Sequence, residues 1–126
     1  MLLDTHVALW LLDDSPRLGR ATAKRIRSAA RVHVSSISLT ELSIKAMIGK
    51  LTIPADLSSQ LVAQGLVSLP YTAAHAGSIA QFNTLVRHDP FDRMLLAQAV
   101  AEGISFATAD SRLLALGLPW VLDATA

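Results

Sequence analysis

The sequence predicts an α/β fold, a parallel sheet covered by helices on both faces. Two observations carry this reading. Short apolar runs of strand length alternate along the chain with stretches of helical periodicity. There is also no internal repeat, low-complexity segment or long linker to divide the 126 residues, so a single domain over 1–126 is expected.

The elements follow in order. Met1 to Leu3 is a very short strand that ends at Asp4, and Val7 to Leu12 reads as helix up to the break Asp13-Asp14-Ser15-Pro16. Arg17 to Arg31 is an amphipathic helix. Leu18, Thr22, Ile26 and Ala29 share one face, and Arg20, Lys24, Arg27 and Arg31 share the other. Val32 to Val34 is a β-branched strand candidate. Ser38 opens a helix to Ile48 before Gly49, and a further helix covers about Ala55 to Gln64. Leu66 to Leu69 is a strand closed by Pro70, and Thr72 to Leu85 reads as one helix. Pro90 to Glu102 is the best-marked helix, with Pro at its start and Gly103 after its end. Ile104 to Thr108 is a strand, Ser111 to Leu116 a short helix and Trp120 to Leu122 a last strand.

Composition narrows the classes. The chain is 52% hydrophobic and 5% aromatic, so its core is aliphatic and its apolar surplus predicts an oligomer or partner interface. Val7 to Leu12 is interrupted by Asp13-Asp14, and no run approaches the ~20 residues of a membrane span. The absence of cysteine excludes disulfides and thiolate metal sites and is compatible with a reducing cytoplasm. Met1-Leu2-Leu3-Asp4 has no basic region of the kind that opens a signal peptide, so a cytoplasmic protein is expected. The net charge of +1 does not decide for or against nucleic acid.

Four acids stand where such a fold places its chemistry. Asp4 and Asp110 follow predicted strands, Glu41 lies a few residues after another, and Asp92 is in the first turn of the Pro90 helix. In open α/β sheets the working crevice lies beyond the carboxyl ends of the strands, where strand order reverses. Carboxylates gathered there repel one another unless a cation lies between them, and hard divalent ions choose oxygen ligands. Each acid also has a plainer reading. Asp4 and Asp110 suit helix N-caps, Ser38-Leu39-Thr40-Glu41 fits a capping box, Asp89 suits a cap for the Pro90 helix, and Asp92 is favoured by that helix's dipole.

The flanking residues weigh against four separate caps. The acids lie in Leu2-Leu3-Asp4-Thr5-His6, Ser38-Leu39-Thr40-Glu41, His88-Asp89-Pro90-Phe91-Asp92-Arg93 and Thr108-Ala109-Asp110. In this order and spacing the chain resembles PIN-domain ribonucleases, and most closely the VapC-type toxins of type II toxin–antitoxin pairs. The match runs nearly end to end, and the segment around Asp92 is its most specific part. The resemblance implies a PIN-like three-layer α/β/α fold with a parallel four- or five-stranded sheet. It implies that Asp4, Glu41, Asp92 and Asp110 are catalytic and hold one or two Mg²⁺ or Mn²⁺ ions. Asp4 and Asp92 are the leading ligands, Asp110 a ligand or outer-sphere acid, and Glu41 a ligand or a group that orients the attacking water. It further implies RNA as substrate, inhibition of translation and growth, a cognate VapB-type antitoxin as partner and a homodimer, with no membrane association.

Other residues carry weaker expectations. Thr5 and Thr108 suit hydrogen bonds to a neighbouring carboxylate or to water at the ion, and equally strand-end hydroxyls. Ser38 and Asp89 are expected as caps. Arg93 suits a phosphate or an exposed ion pair. Arg20, Lys24, Arg27 and Arg31 suit an RNA backbone or an acidic antitoxin segment, against the plainer reading of a solvated face. Trp10 and Trp120 are expected in the core rather than as interface anchors, and none of His6, His33, His75 and His88 is singled out as a general base. A covalent aspartyl-phosphate enzyme is disfavoured because His6, not an acid, stands two positions after Asp4. A phospho-accepting receiver is disfavoured because the last lysine is Lys50. A housekeeping RNA-processing nuclease and an inactive PIN-like binding module are the remaining alternatives.

Overall fold

Leu2 and Leu3 form the middle strand of the sheet, and both are completely buried. The computed structural model describes residues 1–126. Its strands are β1 (Leu2–Leu3), β2 (His33–Ser35), β3 (Val67–Leu69), β4 (Phe106–Thr108) and β5 (Val121–Asp123). They pair in the order β3-β2-β1-β4-β5, and every pairing is parallel. The sheet therefore has five strands, and the strand order reverses between β1 and β4. That reversal opens the crevice in which α/β folds place ligands.

Seven α-helices connect the strands: α1 (Thr5–Leu12), α2 (Arg20–Ser28), α3 (Ser36–Met47), α4 (Leu57–Ala63), α5 (Ala73–Ser78), α6 (Pro90–Glu102) and α7 (Ser111–Leu114). Alternation along the strands divides the core into two layers. Leu3, Val34 and Ala107 face one layer, with Val7 of α1, Leu42 of α3, and Leu57 and Leu61 of α4. Leu2 and Phe106 face the other, with Leu95 and Leu96 of α6 and Leu113 of α7. Both sides of the sheet are thus covered, as its apolar strands require.

Most elements lie where the sequence predicts them. Helix α6 has the predicted ends: Asp89 accepts from the Phe91 amide at 2.8 Å, Pro90 opens the helix and Gly103 closes it at φ 64°. The Arg17–Arg31 helix is shorter than predicted. Gly19 is the N-cap of α2, and Ala29 is already extended. The predicted helix Thr72 to Leu85 is broken. It is α5 followed by a 3₁₀ segment, Ile79–Leu85, in which Phe82 leaves helical geometry (φ −109°, ψ 40°). Phe82 and Leu85 are both buried against the layer formed by α6. An α-helix carrying Gly77 and Ser78 is weak enough for that packing to reshape it.

No helix is long and apolar enough to cross a membrane. The apolar surplus instead surfaces on the second half of α3 and just beyond it, where Ile44 is 43% exposed, Met47 85% and Ile48 61%. The core, by contrast, is tightly closed around Phe106, which is 0% exposed. Phe106→Ala should therefore cost about 3–5 kcal/mol of stability in urea unfolding. A loss below about 1 kcal/mol would show that this layer is not the packed core described.

Candidate active site

Asp4, Glu41, Asp92 and Asp110 line one cavity of about 490 Å³. It opens at the carboxyl ends of β1 and β4. The caps proposed for the acids are partly real, and they orient the carboxylates rather than compete with the site.

Asp4 is the N-cap of α1 and is buried. Its amide donates to the Ala107 carbonyl at 2.9 Å, which extends the β1–β4 pairing by one residue. Oδ1 accepts from the Thr5 amide at 2.7 Å, and Oδ2 accepts from the Thr108 hydroxyl at 2.7 Å. Burial still raises its pKa above the ordinary carboxylate value, with Glu41 adding to the effect. The two hydrogen bonds and His6 oppose it.

Asp110 is the N-cap of α7, where Oδ1 accepts from the Arg112 amide at 2.8 Å. Its own amide donates to Thr108 Oγ1 at 3.0 Å. The Thr108 hydroxyl thus accepts from the backbone of one acid and donates to the carboxylate of another. This single side chain, completely buried, sets the spacing of Asp4 and Asp110.

Glu41 departs from the plainer reading, that of a capping-box residue. The box Ser38-Leu39-Thr40-Glu41 does not form, because β2 runs straight into α3 and Ser35 is the cap. Ser35 Oγ accepts from the Ile37 amide at 3.0 Å. Ser38 is therefore inside the helix, buried, with its hydroxyl 2.9 Å from that of Thr5. The Glu41 carboxylate turns inward. Oε1 accepts from Thr5 Oγ1 at 2.9 Å, and Oε2 pairs with Lys45 Nζ at 2.6 Å. Thr5 thereby knits α1 to α3 at the cavity wall.

Asp92 lies in the first turn of α6, and Oδ2 is 2.7 Å from His88 Nε2. Burial raises its pKa to about 6, with Asp4 and Asp89 adding to the effect and the His88 hydrogen bond opposing it. The same His88 nitrogen is 3.7 Å from Asp110 Oδ2. Ligand atoms of His88, Asp92 and Asp110 all lie within 4.8 Å of one another, close enough to share a cation.

The structure does not bring every candidate to this place. Arg93 follows Asp92 by one residue, about 100° around the helix. It does not line the cavity, and its Nε is enclosed without a hydrogen-bond partner. Arg20, Lys24, Arg27 and Arg31 are exposed, and none lines the cavity. Packing of Thr22 and Ile26 on the sheet turns that stripe outward. The basic residues at the cavity are instead His6, Arg17, Lys45 and Arg112. Sequence reasoning passed over Lys45 and His88, although each stands four residues from an acid it contacts. Trp10 packs partly on the core and also lines the cavity.

With this geometry in place, comparison with known proteins decides the family. The PIN domain family profile matches residues 1–117. This chain belongs to the PIN domain family. It is 31% identical over 115 residues to Ribonuclease VapC22 of Mycobacterium tuberculosis, covering 90% of this chain and 88% of that protein. Its fold is similar to a chain of VapBC2 from Rickettsia felis, solved bound to a DNA fragment from its promoter. The TM-score is 0.67 at 17% identity, covering 96% of this chain and 94% of the other. A toxin–antitoxin complex from Klebsiella pneumoniae gives 0.66 at 18% identity, with 98% and 96% covered. DNA-bound VapBC from Salmonella typhimurium gives 0.64 at 23%, with 96% and 93% covered. The five-stranded parallel sheet between helices of this chain is thus a PIN-like fold, matching these three solved structures.

The donor set fits a hard divalent ion: carboxylate oxygens, one imidazole, no thiolate, and two carboxyls, Asp4 and Asp92, whose negative form is disfavoured first by burial and then by neighbouring acids. Holding Asp92 partly desolvated beside other acids has a measurable cost. Between 3.8 and about 6 the folded chain holds more protons on Asp92 than the unfolded chain does. Stability of the metal-free protein therefore falls as pH rises through this window, and the loss persists above it. Asp92→Asn should melt about 4 °C higher than the parent near neutral pH without metal. The advantage should vanish as pH falls below 3.8. A lower melting temperature for the variant near neutral pH would contradict the electrostatic account.

Proposed function

We propose that this chain is a divalent-metal-dependent endoribonuclease, the toxin of a VapBC-type pair, acting on RNA in the cytoplasm. The observation that carries the enzymatic reading is the convergence of Asp4, Glu41, Asp92 and Asp110 on one cavity at the strand-order reversal. Asp4 and Asp92 would hold Mg²⁺ or Mn²⁺, with Asp110 as a further ligand or an acid acting through water. When bound, such an ion supplies acidified water and a counter-charge for the scissile phosphate.

The chain's own residues do the positioning. Thr108 holds Asp4 at a fixed distance from the Asp110 backbone, and Thr5 and Lys45 hold both oxygens of Glu41. Glu41 with both oxygens engaged suits orientation of the attacking water better than inner coordination. His88 holds Asp92 toward Asp110. In-line displacement at such a site leaves a 5′-phosphate and a 3′-hydroxyl.

The toxin role is supported by similarity to Ribonuclease VapC22 and by the fold shared with toxin–antitoxin complexes. The exposed apolar residues of α3 suit an antitoxin or a second copy of the chain. Expression should arrest growth by inhibiting translation, and a cognate antitoxin should relieve it. Asp4→Ala should lower cleavage by about 10³-fold, a loss of about 4 kcal/mol of transition-state stabilisation, while the protein stays folded by circular dichroism. End-group analysis of the cleaved RNA should find 5′-phosphates. Retained cleavage in Asp4→Ala, or 2′,3′-cyclic phosphate ends, would refute the metal-water reading.

A further inference from the structure

We propose that Trp10 and Arg17 form a nucleotide subsite on the cavity wall, where Trp10 stacks a base and Arg17 binds a phosphate of single-stranded RNA beside the scissile bond. The inference rests on the ribonuclease reading above and adds how the substrate is held.

Five acids line the cavity: Asp4, Glu41, Asp89, Asp92 and Asp110. A polyanion enters such a place only where cations are free to meet it. Of the lining lysines and arginines, Lys45 is committed to Glu41 at 2.6 Å, and Arg112 Nε lies 3.7 Å from Asp110. Arg17 is exposed and is in no ion pair. It is the lining Arg or Lys left for substrate phosphate.

Trp10 supplies the second half. The lining contains two apolar residues, Trp10 and Ala109, so Trp10 is its one large π-surface. The indole is half-buried, with part of it on the core layer and the rest at the cavity. A ring anchored in this way loses little freedom when a base stacks on it. Base–aromatic stacking is tolerant of sequence because every base has a π-face.

The backbone ties the two residues together. The Ser15 amide donates to the Trp10 carbonyl at 2.9 Å, and the Arg17 amide donates to Ser15 Oγ at 3.3 Å. Asp14 turns the chain between them at φ 49°, a conformation that Asp tolerates better than most residues. The last turn of α1 and the turn that follows it thus present an aromatic and a cation from one segment, which is the composition of a site for single-stranded nucleic acid.

The test uses the intact protein with Mn²⁺ and a short single-stranded RNA. Arg17→Ala should raise KM about tenfold with kcat within about twofold of the parent. It should also lower the slope of log affinity against log salt by about 0.7, the loss of one phosphate contact to a single strand. Trp10→Leu, which keeps apolar volume, should raise KM about tenfold, and Trp10→Phe should recover most of that loss. In a Trp120→Phe background Trp10 is the sole tryptophan, and RNA should quench its fluorescence. An unchanged KM and salt slope in Arg17→Ala, or no quenching of Trp10, would overturn the subsite. So would an Arg17→Ala variant that weakens antitoxin binding and leaves RNA binding intact, which would assign the wall to a protein partner. If RNA quenches Trp10 but the parent protein does not cleave it, the subsite stands and the nuclease reading fails.

Discussion

Parallel pairing of β1 with β4 is the constraint on which the site depends. These strands are adjacent in space but about a hundred residues apart in the chain. Their pairing brings the Asp4 amide to the Ala107 carbonyl, and the next residue of β4 delivers the Thr108 hydroxyl to the Asp4 carboxylate. From Thr108 the order passes to the Asp110 amide, and from Thr5 to Glu41. Two buried threonines thus convert backbone register into carboxylate spacing. A one-residue slip would turn Leu2 and Leu3 to opposite faces and move both hydroxyls away from the acids.

The same arrangement is electrostatically unfavourable on its own. Desolvation and neighbouring charge raise the pKa of both Asp4 and Asp92. The chain offsets this locally with hydroxyl and amide donors, with Lys45 on Glu41 and with His88 on Asp92. The rest of the molecule supplies the rigidity, through two aliphatic layers that leave Leu2, Leu3, Leu95, Leu96 and Phe106 with no exposure. Stability concentrated in the core and strain concentrated at a cavity is the usual balance in a catalytic fold.

Much of this was legible in the residues. Pro90 and Gly103 mark α6 to the residue, and the acids after β1 and β4 sit where parallel sheets place chemistry. What escaped depends on tertiary context. Ser38 and Glu41 have capping-box spacing, yet Ser35 is reached first because no loop separates β2 from α3. The helix expected over 72–85 breaks because burial of Phe82 outweighs weak propensity at Gly77 and Ser78. Lys45 and His88 were visible as partners four residues from Glu41 and Asp92, but only the fold shows that the contacts face the cavity. The basic stripe of Arg20, Lys24, Arg27 and Arg31 is exposed and lies away from the cavity, since helical periodicity shows which residues share a face but not what that face meets.

The central claim is that these carboxylates converge to hold a divalent ion. Calorimetric titration of the metal-free protein with Mn²⁺, in buffers of different ionisation enthalpy, tests it directly. The account predicts saturable binding that releases protons near pH 6, where Asp92 is partly protonated, and far fewer at alkaline pH. Absence of saturable binding, or binding with the same proton count at both pH values, would contradict it.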